Sequence, residues 1–144
     1  MGESVCFCRS RLAKALPEGV TASANERPGG PWELCALSPE GAEQMAHREF
    51  RCRTLLVPEG AYRQRWQAEQ VVSYGLSGRS SLILSSMDGQ GILCIQRALT
   101  DRRGRTVEEQ ELPLPAAWRD CAPQEKLLLA GVWLLWGGMP EDGA

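Results

Sequence analysis

The stretch that decides the fold is residues 80–113, SSLILSSMDGQGILCIQRALTDRRGRTVEEQELP. Three segments rich in apolar or β-branched residues lie at 80–86, 92–100 and 105–112, and each join is a short turn that carries glycine. Glycine supplies the positive φ angles that tight hairpin turns require. The pattern therefore predicts three consecutive antiparallel strands, which together form a meander over residues 80–113.

A strongly apolar segment, PQEKLLLAGVWLLW, follows the meander at residues 123–136 and predicts a helix. Its apolar side chains surround the helix axis, so the helix must be buried on more than one side. We expect one side to face the sheet of the protein and another to bind a partner. Trp133 or Trp136 would anchor that interface, with Leu129 and Val132 beside them. The alternative is a helix buried entirely within its own fold.

Upstream of the meander, apolar spacing predicts helices over residues 4–16 and 61–70, and alternation predicts a strand over 32–37. The apolar stripes of the helices need a sheet face to cover them. The chain is thus predicted to be α+β, with a largely antiparallel sheet and two or three packed helices. We expect a single domain over residues 1–144, with a short flexible tail at 139–144.

Composition and motifs argue against catalysis. The net charge is -2 and the pI is about 5.5, so the chain as a whole is not a basic nucleic-acid binder. His47 is the single histidine, and the sequence lacks a nucleophile elbow, a phosphate-binding Walker loop and a dinucleotide-binding glycine motif. We therefore predict that the protein is not an enzyme and uses no cofactor.

The six cysteines are predicted to be free, because the chain is large enough to fold without disulfides. The Cys6-x-Cys8 pair lacks the two-residue spacer of a zinc knuckle, so no metal site is expected. This cysteine usage favours a reducing intracellular compartment, in the nucleus or the cytoplasm. The longest apolar run, residues 127–139, is too short to span a bilayer, so we expect no membrane insertion.

Residues 80–113 also contain the frame Asp88-x-x-Gly91, Leu93-x-Ile95-Gln96 and Asp101-x-x-Gly104, before a third strand that ends at a proline. This frame resembles the closing strands of DNA sliding-clamp subunits, and most closely those of the checkpoint clamp.

The resemblance implies a scaffold subunit that acts beside DNA, in replication, repair or the damage checkpoint. It also implies that the two upstream helices line a DNA channel. The side chains that would face DNA, weakly and without sequence selectivity, are Arg9, Arg11, Lys14, Arg63 and Arg65. On this interpretation the partners are one or more protein subunits.

A second interpretation needs no DNA. The size, the slight acidity and the missing catalytic residues also suit a small adaptor or chaperone-like protein that binds one protein client.

Overall fold

The computed structural model describes residues 2–24 and 29–140. The chain divides into two compact units, Met1–Val72 and Ser73–Ala144, which we call unit 1 and unit 2. Strands and helices both contribute, so the predicted α+β class is confirmed. The single domain over residues 1–144 stays a prediction, and residues 141–144 of the predicted tail lie outside the described residues.

Unit 1 is built on a sheet whose strands follow the order β2-β1-β3-β4-β5. Its elements are β1 (Ser4–Phe7), a 3₁₀ helix (Ser10–Ala15), β2 (Val20–Ser23), β3 (Trp32–Leu37), α1 (Pro39–Gln44), β4 (Phe50–Pro58) and most of β5 (Trp66–Tyr74). The strand β1 pairs in parallel with both β2 and β3, and β3 pairs in parallel with β4. The prediction of a largely antiparallel sheet is therefore wrong for unit 1. Parallel strands need a connection that crosses from one end of the sheet to the other. The 3₁₀ helix provides it between β1 and β2, and α1 provides it between β3 and β4.

The predicted helix over residues 4–16 is also wrong, because this segment forms β1 and then the 3₁₀ helix Ser10–Ala15. The apolar positions behind that prediction are nevertheless buried, from Val5 to Leu16. Every residue of β1 is buried, which is typical of a parallel strand that is covered on both faces. Such a strand shows no alternation, so its sequence does not distinguish it from a helix.

The predicted helix over residues 61–70 is replaced by β5, Trp66–Tyr74. Trp66, Ala68, Gln70 and Val72 are buried or half-buried, whereas the residues between them are exposed. This period of two was present in the sequence and is the signal for a strand.

A row of aromatic rings forms the centre of the unit 1 core. The ring centroids of Phe7 and Trp32 are 5.7 Å apart, those of Trp32 and Phe50 are 5.4 Å apart, and those of Phe50 and Trp66 are 5.5 Å apart. The indole N–H of Trp66 donates a hydrogen bond to the carbonyl of Met45 at 3.1 Å. These contacts connect β1, β3, β4 and β5 across the core.

Unit 2 contains the predicted meander and the predicted apolar helix. Its elements are β6 (Leu82–Ser86), β7 (Ile92–Ile95), β8 (Leu99–Thr100), β9 (Thr106–Val107), β10 (Gln110–Pro113), a 3₁₀ helix (Ala116–Trp118) and α2 (Pro123–Trp136). The strands β6, β7 and β10 are consecutive neighbours with antiparallel pairing, so the three-strand meander is confirmed. The predicted bounds of α2 are confirmed to the residue.

The second and third strands of the meander are shorter than predicted, and the third begins at Gln110 instead of Arg105. The second predicted strand ends at Ile95 instead of Thr100, and the predicted turn at 101–104 closes a separate small hairpin of β8 and β9. This hairpin lies between the second and third strands of the meander. In the part of the chain that the structure describes, no helix is both long and apolar enough to cross a bilayer.

Candidate functional site

A small cleft lies at the carboxyl ends of the parallel strands β1, β2 and β3, and we call it the strand-end cleft. Its volume is about 230 Å³. The residues that line it are Cys8, Arg9, Ala24, Ser38, Glu40, Gly41 and Gln44. The strand order reverses at β1, because β2 lies on one side of it and β3 on the other. Open parallel sheets bind ligands outside the carboxyl ends of their strands at such a reversal.

Backbone hydrogen bonds hold the three strand ends together. The Cys8 N–H donates to the Ser23 carbonyl at the end of β2, at 2.9 Å. The Ser38 N–H donates to the Phe7 carbonyl at the end of β1, also at 2.9 Å. The hydroxyl of Ser38 then caps α1 by accepting a hydrogen bond from the Gly41 N–H at 2.9 Å. The walls of the cleft are thus fixed by main-chain contacts.

Gly41 sets the distance between α1 and β1. A Cβ atom at this position would lie 2.5 Å from the Phe7 carbonyl oxygen and 2.9 Å from the Phe7 Cβ. Side chains do not tolerate such distances, so any other residue would push α1 away from the end of β1. The close approach of α1, and with it the floor of the cleft, depends on this glycine.

Two thiols of β1 meet at the cleft. Cys8 is 4% exposed and lines it, and Cys6 is fully buried behind it. Hydrogen bonding with the Cys6 side chain lowers the pKa of Cys8, although burial works in the opposite direction. The same interaction between the two side chains, together with burial, raises the pKa of Cys6 well above its usual range. The Cys8 thiol also donates a hydrogen bond to the Cys6 carbonyl at 3.7 Å.

Charged side chains flank the cleft at its surface. Arg9 and Glu40 form an ion pair at 3.4 Å, with side chains that are 64% and 55% exposed. Such an exposed pair contributes little stability. Nearby, the Gln44 amide donates a hydrogen bond to the Ala24 carbonyl at 3.2 Å and connects α1 to the end of β2.

In unit 2, the carboxyl end of α2 carries a second distinctive arrangement. Arg102 donates its backbone N–H to the Leu135 carbonyl at 2.8 Å and its Nε–H to the Trp136 carbonyl at 2.6 Å. Arg105 reaches the Gly137 carbonyl at 3.1 Å. Arginines on the β8–β9 hairpin thus satisfy the last carbonyls of the helix and complement its dipole.

The β8–β9 hairpin is itself organised by Asp101. This buried carboxylate accepts backbone hydrogen bonds from Arg103 at 2.9 Å and from Arg105 at 3.0 Å, and a side-chain bond from Arg105 at 3.0 Å. Burial opposes its ionisation, but these hydrogen bonds and the guanidinium charge outweigh burial, so the pKa of Asp101 is lowered.

The structure separates the four predicted partner-binding residues. Leu129 and Val132 are fully buried, so they belong to the core and are not available to a partner. Trp136 is half-buried beneath the Arg102 guanidinium, which lies 3.7 Å from its ring centroid. Trp133 is half-buried one turn earlier on the helix. We call Trp133, Trp136 and Arg102 the helix-end patch.

The five side chains predicted to face DNA are all exposed: Arg9, Arg11, Lys14, Arg63 and Arg65. The two helices that were expected to carry them are replaced by the 3₁₀ helix and by the connection before β5. Arg63 and Arg65 lie beside the exposed His47 at a shallow groove of about 490 Å³, whereas Arg9 lines the strand-end cleft. The structure thus divides these cations between two sites in unit 1.

No group of three or more histidine, cysteine or acidic residues within residues 2–24 and 29–140 could hold a metal ion. All six cysteines are free. The sequence analysis placed Cys8 on the apolar stripe of the predicted helix over residues 4–16 and did not identify the cleft. The available signal was the helix cap Ser38-Pro39 directly after an apolar strand, but the position of β1 between β2 and β3 is not encoded locally.

No protein-family model, curated protein or solved structure matches this chain.

Proposed function

We propose that this protein is a non-catalytic protein-interaction module and that the helix-end patch is its contact surface. The observation that carries the proposal is the pair of half-exposed tryptophans at the end of α2, of which Trp136 is held by Arg102 of the β8–β9 hairpin. Residues three apart on a helix are surface neighbours, so the two rings can act together. Tryptophan and arginine are the residue types most enriched among those that dominate binding energy.

The chemistry of the patch also indicates what kind of partner it suits. Arg102 lies over the Trp136 ring, Arg105 reaches the carbonyl of the adjacent Gly137, and Arg103 and Arg105 are exposed, so positive charge lies beside the patch. A complementary surface would offer an apolar pocket with carboxylates at its rim. Because Arg102 is already held by carbonyls of α2, little side-chain entropy is lost when the patch binds.

The decisive experiment is affinity capture with the full-length protein, followed by binding measurements on the purified partner. Trp133→Ala and Arg103→Glu should each weaken binding, and Trp133→Ala by about 30-fold or more if the ring is an anchor. Tyr62→Ala is the matched control, because Tyr62 is an exposed aromatic residue in unit 1. Undiminished binding by the double variant Trp133→Ala/Arg103→Glu, with thermal unfolding unchanged, would refute the proposal.

A second candidate, a clamp-like scaffold that works beside DNA in replication or the damage checkpoint, is favoured by the five exposed cations of unit 1. On this hypothesis, duplex DNA binds weakly, without sequence selectivity, and with an affinity that falls steeply as salt rises. Fluorescence anisotropy with a labelled duplex should then show weaker binding for Arg63→Glu/Arg65→Glu. DNA binding that does not depend on salt, or the absence of DNA binding at low salt, would refute the clamp-like scaffold and leave the protein-interaction module as the proposed function.

Both proposed functions, the protein-interaction module and the clamp-like scaffold, place the protein inside the cell, and the six free cysteines support that location.

A further inference from the structure

We propose that a groove of unit 1 binds a nucleoside monophosphate, with the phosphate on Arg63 and Arg65 and the base on the ring of Tyr62. The groove has a volume of about 490 Å³, and we call it the basic groove. Its lining residues are Ala46, His47, Tyr62, Arg63, Gln64 and Arg65. The basic groove belongs to unit 1 and the helix-end patch to unit 2, so neither proposal depends on the other. The clamp-like scaffold would use the same two arginines for duplex DNA, so the two hypotheses differ in their ligand.

Hydrogen bonds fix the two chain segments that form the basic groove, one between α1 and β4 and the other before β5. The Trp66 indole N–H donates to the Met45 carbonyl at 3.1 Å, and the Phe50 N–H donates to the Arg65 carbonyl at 3.4 Å. The Trp66 backbone N–H also donates to the Arg63 carbonyl at 3.0 Å and closes a turn. The groove is therefore formed before a ligand arrives, and little ordering of the chain opposes binding.

The polar side chains of the basic groove are unused by the protein. Elsewhere, arginine side chains are engaged, as in the ion pairs of Arg53 with Glu33 and of Arg105 with Asp101. In the part of the chain that the structure describes, no hydrogen bond or ion pair is formed by the side chains of His47, Tyr62, Arg63, Gln64 and Arg65. A guanidinium has only donors, so the groove presents donors that no acceptor of the protein occupies.

The two free guanidiniums favour a phosphate ester as the ligand. The planar fork of arginine matches the oxygens of a phosphate, and hydrogen bonds between charged groups are the stronger ones. None of the described residues that line the basic groove is acidic, and Glu49 lines the adjoining groove of about 440 Å³ instead. A phosphate on Arg63 and Arg65 would thus meet positive charge without a carboxylate in the same groove.

Tyr62 indicates that the ligand also carries a planar ring. The side chain of Tyr62 is 47% exposed, although it is large and apolar. Bases of single-stranded nucleic acids stack on aromatic rings of this kind. A nucleobase has polar edges that the Gln64 amide and the His47 imidazole can bind by hydrogen bonds, whereas a phenyl ring has none. A nucleoside monophosphate is therefore the ligand class that uses every polar side chain of the groove.

The size of the basic groove is compatible with a ligand of this class. Small-molecule sites typically have volumes of about 300–1,000 Å³, and the groove lies within that range. Because the groove is shallow and its arginines are exposed, salt should screen the attraction for phosphate. We expect reversible binding that weakens as the ionic strength rises.

The test titrates the full-length protein with adenosine monophosphate and follows the backbone amide signals by NMR. We expect shifts that saturate and that concentrate at His47 and at residues 62–65. Inorganic phosphate lacks the ring, adenosine lacks the charge, and free phosphotyrosine lacks the polar edges of a base. Each of these three probes should bind about tenfold more weakly than adenosine monophosphate, or less.

Substitutions identify the side chains that hold the ligand. The double variant Arg63→Gln/Arg65→Gln should lose binding of adenosine monophosphate. Tyr62→Ala should weaken it about tenfold, whereas Tyr62→Phe keeps the ring and should bind like the wild type. Arg119→Gln is the matched control, because Arg119 is an exposed arginine of unit 2.

Several results would overturn the proposal. One is the absence of shifts at His47 and residues 62–65 at millimolar adenosine monophosphate. Another is unchanged affinity in Arg63→Gln/Arg65→Gln, with thermal unfolding like that of the wild type. Inorganic phosphate or phosphotyrosine that binds as tightly as adenosine monophosphate would show that the groove does not recognise a nucleotide. Duplex DNA that binds through Arg63 and Arg65 when adenosine monophosphate does not would reject the nucleotide site and support the clamp-like scaffold.

Discussion

The parallel strands of unit 1 and the antiparallel meander of unit 2 pair over different distances along the chain. Ser4 in β1 pairs with Leu34 in β3, whereas Leu82 in β6 pairs with Ile95 in β7. The second pair is joined by a short turn that the sequence displays, and the first encloses a helical segment and a further strand. Local pairing is therefore visible in the sequence, and long-range pairing is not.

The two units also place their distinctive residues differently. The strand-end cleft forms where three strands end together, so it depends on strand order. The helix-end patch forms where one hairpin caps one helix, and it depends on Asp101 and its neighbours. Four substitutions test this comparison, and they are given from the largest expected effect to the smallest.

The largest effect is expected for Leu129→Ala in unit 2. Leu129 is fully buried in α2, so its truncation removes apolar contacts and leaves a cavity, at a cost of about 3 kcal/mol of unfolding free energy. Urea unfolding monitored by circular dichroism measures the change. A variant that keeps wild-type stability but loses its partner would restore Leu129 to the interface and refute the core assignment.

The next effect is expected for Gly41→Ala in unit 1. The added methyl group meets the Phe7 carbonyl, so we expect a loss of about 2 kcal/mol. Gly78→Ala is the matched control, because a Cβ atom at Gly78 meets nothing within 4 Å and its effect should stay within about 0.5 kcal/mol. Equal effects at the two glycines would mean that α1 does not pack closely on β1.

A smaller, pH-dependent effect is expected for Asp101→Asn. Because the folded-state pKa of Asp101 is lowered, its ionised form stabilises the fold at neutral pH, and the substitution should cost about 1 kcal/mol there. That contribution is present above the unfolded-state pKa of about 4 and is lost as the pH falls through the folded-state value. Unfolding free energies at pH 7 and pH 3 should therefore show a difference from wild type that narrows in acid.

Asp120→Asn is the control for this titration, since Asp120 is an exposed residue of the same unit. It should leave the unfolding free energy unchanged at both pH values. A constant difference for Asp101→Asn across the pH range would contradict the role of its charge in the β8–β9 hairpin.

The smallest effect is expected for Arg9→Ala at the strand-end cleft. The Arg9–Glu40 pair is exposed on both sides, so its loss should change stability by no more than about 0.5 kcal/mol. Thermal unfolding at low and high salt checks this estimate. A loss above about 1 kcal/mol would show that the ion pair holds the cleft together, in place of the main-chain hydrogen bonds.

The sequence by itself was sufficient for the α+β class, for the meander and for α2. In each case the information is local: glycine turns between apolar strands, and a long apolar segment that starts at Pro123. It was also sufficient to mark Trp133 and Trp136 as unusual, although not to tell them apart from Leu129, because a helix that is apolar all round gives no sign of which side is covered.

Only the tertiary structure decided that residues 4–7 form a strand between β2 and β3, and only it brought Cys8, Ser38 and Gly41 to one cleft. The physical reason is that a strand buried on both faces has no periodicity, and its partners lie far away along the chain. The same holds for the arginines of the β8–β9 hairpin. Carbonyls at the end of α2 bind Arg102 and Arg105, and those carbonyls come into reach only when the helix packs.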